Sequence, residues 1–137
     1  MARDKFHQEV KTALESDGWK VTHDPLYLKV GGIPVLIDLG SEKIIAAEKE
    51  GEKIAVEIKT FGLVSFITAL YEALGKYLIC SEALLYLKTG RTLYLAMPSK
   101  VYKEYSEEPI VKNTFQKYDV KIILYKPNSK EKMQWIK

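Results

Sequence analysis

A chain of 137 residues makes one domain, residues 1–137, long enough to bury about two thirds of the surface its unfolded form exposes. Hydrophobic residues make up 47% and charged residues 28%, with no apolar run long enough to span a bilayer, which excludes a disordered chain and a helical membrane protein and predicts a soluble one. A net charge of +3 at pH 7 permits an anionic partner without demanding one, and the lone cysteine, Cys80, excludes both an internal disulfide and a Cys-rich metal site.

The first residues, MARDKFHQEVK, are charged from the third onward and lack the continuous apolar segment of a secretory signal, so the expected location is cytoplasmic. Asp4 reads as the N-cap of a first helix, whose apolar stripe of Phe6, Val10, Ala13 and Leu14 stops at Gly18. Glu9 lies on one flank of that stripe, placed for a neighbouring site or for water, and His7 lies on the other as a boundary residue. Trp19 to Val21 begins extended structure, and Asp24-Pro25 marks a turn, because a residue before proline is pushed out of the helical region. Tyr27 to Val30 and Ile33 to Leu39 flank Gly31-Gly32, a connection suited to a tight hairpin, with Pro34 favouring an edge or the start of its strand.

Two further strand-like runs, Lys43 to Glu48 and Lys53 to Lys59, are joined by Lys49-Glu50-Gly51-Glu52 as a second hairpin. In the returning run Ile54, Val56 and Ile58 alternate with Ala55, Glu57 and Lys59, so a period of two sends the Ile/Val set to one face and Glu57 with Lys59 to the other. On a strand those two Cα atoms sit about 7 Å apart, close enough for both side chains to serve one site. Glu-x-Lys also occurs at Glu9-Lys11, and on the tripeptide alone a solvated face is the commoner reading. The upstream order shifts that balance: Asp38 ends one strand-like run, a hairpin follows, and the returning strand can bring Glu57 beside it. A sheet seldom buries two facing carboxylates without a cation.

Ser65 to Leu87 reads as the longest helix, with Phe66, Ala69, Leu70, Ala73, Leu74, Tyr77 and Leu78 at spacings of three and four, and is expected to cover the sheet. Cys80 falls within it as a small buried residue. Gly90 closes the helical region, and Thr92 to Met97 is the nearly continuous apolar run of a central strand buried on both faces, ended by Pro98. A shorter helix starts near Ser99, breaks around Pro109 and resumes through Phe115, and Val120 to Tyr125 supplies a last strand. The tail, with Lys126, Lys130, Lys132 and Lys137 around Trp135, is a weak basic-plus-aromatic pattern and reads as a solvated terminus, its membership of the domain less firmly indicated from about residue 127. The expected order is α-β-β-β-α-β-α-β, a mixed α/β (α+β) class.

The segments FHQEVKTALESDGW, THDPLYL, IDLGSEKIIAAEKEGEKIAVEIK and ALGKYL resemble the XisH family, the fdxN element excision controlling factors of cyanobacteria, over roughly the first hundred residues. That family is similar in layout to the PD-(D/E)XK nuclease superfamily, so the resemblance implies a restriction-endonuclease-like core of α-β-β-β-α-β order, its mixed sheet flanked by helices. It implies Asp38 as the first metal-binding aspartate, Glu57 as the acidic residue of the second half-motif and Lys59 as its lysine, with the main-chain carbonyl of Ile58 as a third oxygen ligand. Such hard oxygens suit Mg²⁺ or Mn²⁺, which polarises a phosphoryl oxygen and activates water, while Lys59 stabilises charge on the phosphate.

Departures from the pattern accompany the match. Ile37 stands where the motif's name has proline, and the long helix has no Gln, with Lys76 near the position where relatives carry one. Glu9 stands where some superfamily members supply an extra helix carboxylate, and Glu48 competes for the role of second carboxylate. Two functions of different class follow from the resemblance: a metal-dependent nuclease-like protein acting on DNA, or a non-catalytic control module in DNA excision that works with an XisI-like partner.

Overall fold

A computed structural model describes residues 2–34, 44–62, 64–129 and 132–136. Helix α1 (Ala2–Ser16) buries Val10 and Leu14 completely. It starts before the expected cap, so Asp4 lies within its first turn rather than ahead of it, because Ala2 and Arg3 are themselves good helix formers. Gly18, at φ +93°, ends the helical region, and β1 (Lys20–His23) follows. The short strands β2 (Lys29–Val30) and β3 (Ile33–Pro34) pair Val30 with Ile33 across Gly31-Gly32, the tight hairpin expected there. The remainder of that run, to Leu39, lies outside the described residues and takes Asp38 with it.

The second hairpin joins β4 (Ile44–Lys49) to β5 (Glu52–Ile58). Its two turn residues, Glu50 and Gly51, both have positive φ, as the twist of a two-residue hairpin demands. Helix α2 (Phe66–Tyr86) then crosses to β6 (Thr92–Pro98), which lies parallel to β5. Two short helices, α3 (Ser99–Tyr105) and α4 (Pro109–Lys117), cross to β7 (Ile122–Tyr125), parallel to β6. The helical region breaks just before Pro109 and resumes from it, as expected, because Pro109 occupies the first turn of α4, where its missing N–H costs nothing.

Among the described residues, β2 and β3 make a separate two-stranded sheet and the other strands form a six-stranded mixed sheet in the order β1-β4-β5-β6-β7-β8. Its last member, β8 (Gln134–Ile136), corrects the reading of the tail as a solvated terminus. It pairs antiparallel with β7, and Trp135 stacks on Trp19 at 5.6 Å while meeting Tyr94 edge-on at 5.0 Å. Against one face of the sheet Val10 and Leu14 of α1 pack on Ile54, Val56, Ile58, Tyr94 and Ile123. Against the other, residues of α2, α3 and α4 pack on Ala55, Leu93, Leu95, Ile122 and Leu124. The central strands are therefore apolar on both faces where they are buried, which makes the buried carboxylate of β5, Glu57, stand out. Among the described residues, no helix is long and apolar enough to cross a membrane.

Candidate functional site

Glu57 sits near the C-terminal end of β5, opposite Ile44 on one side and Leu95 on the other, and is 1% exposed. The solvated-face reading of Glu-x-Lys is thereby overturned, because helices cover both sides of the sheet. The alternation holds as expected: Ile54, Val56 and Ile58 belong to the α1 side, and Ala55 to the α2 side with the Glu57 that follows two residues later. An ionised carboxylate in such surroundings is costly, so this position is held for chemistry or for a specific contact, not for packing. Its charge reaches α2. Burial, reinforced by Glu57, pushes the Cys80 thiol up to about 12, while Lys76 acts in the opposite sense. Burial also raises Tyr77, again with a contribution from Glu57. Cys80 is accordingly a buried, protonated thiol, as its place in the helix pattern predicts.

Lys59 lies one residue beyond the strand and is fixed through its backbone. Its N–H donates to the Ala96 carbonyl at 2.9 Å, and its own carbonyl accepts from the Tyr125 hydroxyl at 3.3 Å. The side chain, 13% exposed, lies on the α2 side, where its Nζ meets Glu72 Oε1 at 3.0 Å. Glu72 is the site residue that sequence reasoning missed. It lies on the flank of the α2 stripe one turn before Lys76, a spacing that by itself reads as a surface ion pair. The half-buried Lys76 lies one turn further along the same flank of α2, where its charge acts on Cys80.

The other expected contributors lie elsewhere. Glu48 is four residues along β4 from Ile44, the residue opposite Glu57, which puts the two about 13 Å apart. It faces Lys53 at 3.9 Å and Arg91 at 3.8 Å instead. Glu9, on α1, accepts the Asn128 backbone N–H at 3.0 Å and so ties that helix to the connection after β7. His7 bonds Asp24 at 2.6 Å as a boundary residue, and Lys11 holds the other oxygen of the same carboxylate at 2.9 Å. The Ile58 side chain is buried against α1, which leaves its main-chain carbonyl as the group of interest. Among the described residues, no group of three or more His, Cys, Asp or Glu side chains is placed to hold a metal ion. A set made of one strand carboxylate, one main-chain carbonyl and one further aspartate is not of that kind, and its oxygens suit a hard divalent cation.

None of the curated proteins matches this chain. Solved structures do. An XisH family protein from Nostoc punctiforme is 42% identical with a TM-score of 0.86, over 96% of this chain and 98% of that one. An fdxN element excision controlling factor protein from Anabaena variabilis is 40% identical with a TM-score of 0.87, over 98% of this chain and 99% of that one. The family model described as XisH protein matches residues 1–133, β6, both crossover helices and β7 included, so the likeness extends well beyond the segments that first carried it. On both sequence and fold, this chain belongs to the XisH family.

Proposed function

We propose that this chain controls the excision of a DNA element, as its Anabaena variabilis relative is described as doing, and that it does so as a metal-dependent, nuclease-like protein of PD-(D/E)XK type. The observation that carries this reading is Glu57: a carboxylate 1% exposed on a central strand, two residues before a lysine on the same side. Asp38 and Glu57, with the Ile58 carbonyl, are the residues that would hold Mg²⁺ or Mn²⁺. The chemistry the ion supplies at such a set is polarisation of a phosphoryl oxygen and activation of water. Lys59 has its backbone clamped between β6 and Tyr125, so its ammonium is delivered to one place, where exchanging Glu72 for a phosphate oxygen would stabilise developing charge. A cytoplasmic location belongs to the same proposal.

Relaxation of supercoiled plasmid by the purified protein with Mg²⁺ or Mn²⁺ tests this. Cutting is expected to fall by about a hundredfold or more in Glu57→Gln, which keeps the buried shape, and in Lys59→Met. Undiminished cutting in the Asp38→Ala, Glu57→Ala double variant would overturn the assignment. Calorimetric titration of the two ions into wild type and Glu57→Gln reads the metal centre separately from activity.

One observation favours a second reading. The Lys59 ammonium already has Glu72 at 3.0 Å, which leaves it partly neutralised toward an incoming phosphate. In that case the protein is a non-catalytic module acting with an XisI-like partner, and co-purification with that partner together with no metal-dependent cutting is the expected result.

A further inference from the structure

Helix α2 buries Ala69, Ala73, Tyr77, Cys80 and Leu84 against the sheet, yet its opposite side is also apolar. Ile67, Tyr71, Leu78, Ile79, Leu85 and Tyr86 fall within about 120° of one another around the helix. They are 42%, 68%, 37%, 61%, 73% and 73% exposed. Glu82 is the one charged residue of α2 in that sector. At ~200 Å² for a large side chain, these fractions leave on the order of 700 Å² of exposed side-chain surface on this face, at the upper end of what a monomer's largest apolar patch reaches. A stable interface takes about 800 Å² from each partner, so this face alone supplies most of one side.

We propose that this face seats α2 of a second copy of the chain, antiparallel, about a two-fold axis at Leu78. Self-complementarity argues for that occupant. Tyr71, Leu78 and Leu85 are spaced by seven, the repeat that keeps a seam of one helix on another, and Leu78 lies midway. A two-fold there sets Leu78 on its own equivalent and Tyr71 of each copy over Leu85 of the other. Beside Leu85 lies a groove of about 430 Å³, bordered by Leu78, Leu85, Lys88, Tyr118, Asp119 and Lys121. It is roomy enough for a phenol ring and polar enough at its edge for the hydroxyl. The protruding Tyr71 and the groove are a knob and a hole about 21 Å apart on one helix, and the two-fold closes both at once. Gly75 lies inside the same sector, where a Cβ would meet nothing of its own chain within 4 Å, so the helix is narrowest where another backbone would come near. This interface lies on the solvent side of α2 and does not depend on whether Glu57 and Lys59 perform chemistry.

The test is sedimentation velocity across the micromolar range, with cysteine pairing as a geometric check. Wild type is expected to show a monomer–dimer equilibrium, and Leu78→Glu to weaken it at least about tenfold with an unchanged circular dichroism spectrum. On oxidation Leu78→Cys is expected to form a covalent dimer, while Gln116→Cys, exposed on α4, stays single; the native Cys80 is buried and gives no background. A wild-type protein that is monomeric throughout, or occupied on this face only by a different protein, would overturn the proposal. So would a dimer that survives Leu78→Glu and does not cross-link at Leu78→Cys.

Discussion

Asp24 shows how this protein uses a single side chain to join distant segments. Burial opposes its charge, but hydrogen bonds from Lys11 and His7, aided by their positive charge, outweigh that and hold the carboxyl below its ordinary 3.8. Because the folded value is depressed, the contribution is complete above the unfolded value and is lost as the pH falls through the lower, folded one. Asp24→Asn should lower stability by about 1 kcal/mol near neutral pH, with the difference from wild type closing at acid pH below 3.8, read from chemical denaturation midpoints across pH. Tyr77 works similarly from inside: its hydroxyl donates to the Leu93 carbonyl at 3.1 Å and accepts the Lys121 N–H at 3.0 Å, joining the entrances of β6 and β7 to α2. Arg91 closes the same end of the sheet by donating to the Ile54 carbonyl at 3.1 Å and the Ala47 carbonyl at 3.4 Å. Glu57 belongs to the other end of β5, where the Tyr125 hydroxyl makes the corresponding tie by donating to the Lys59 carbonyl at 3.3 Å.

At the scale of elements, α2 was the most legible and β8 the least. Spacings of three and four over twenty-one residues announced α2, and Ser65 caps it by accepting the Thr68 N–H at 3.3 Å. Within its own chain the same helix has no need of Gly75 for a positive φ or for space. Gly75→Ala should therefore stabilise the dilute protomer by roughly 0.5–1 kcal/mol, visible as a raised melting temperature. By contrast β8 is three residues among lysines, with too little sequence for a period, and exists because β7 offers it a ladder. The candidate site divides along the same line. Period two placed Glu57 and Lys59 on one side of β5 from sequence alone, since that depends only on neighbours along the strand. The Glu72 contact required knowing how α2 is seated against the sheet, and the carbonyls that Arg91 reaches belong to strands 37 and 44 residues away, distances that no local pattern encodes.

For the molecule as a whole, two layers of helix enclose a sheet whose mixed α/β class, and whose central strand β6 buried on both faces, were legible in the sequence, while the parallel pairing of β5, β6 and β7 was not. The tail completes it: Trp135, between Trp19 and Tyr94, locks β8 in place, so Trp135→Ala should cost about 3 kcal/mol in equilibrium unfolding, more than a solvated terminus could. That strand also has a consequence for self-association of an unwanted kind. β7 is Ile-Ile-Leu-Tyr with every residue buried, and β8 covers its outer ladder. Stripped of that cover, β7 would offer a bare, apolar, unpaired edge, the template on which chains stack into cross-β aggregates. With β8 in place the outermost edge is only three residues long and is preceded by the exposed Lys132, a poor template for any further strand. The tail thus guards the sheet against amyloid-like growth, and proteolysis between β7 and β8 would convert a stable domain into a precipitating one.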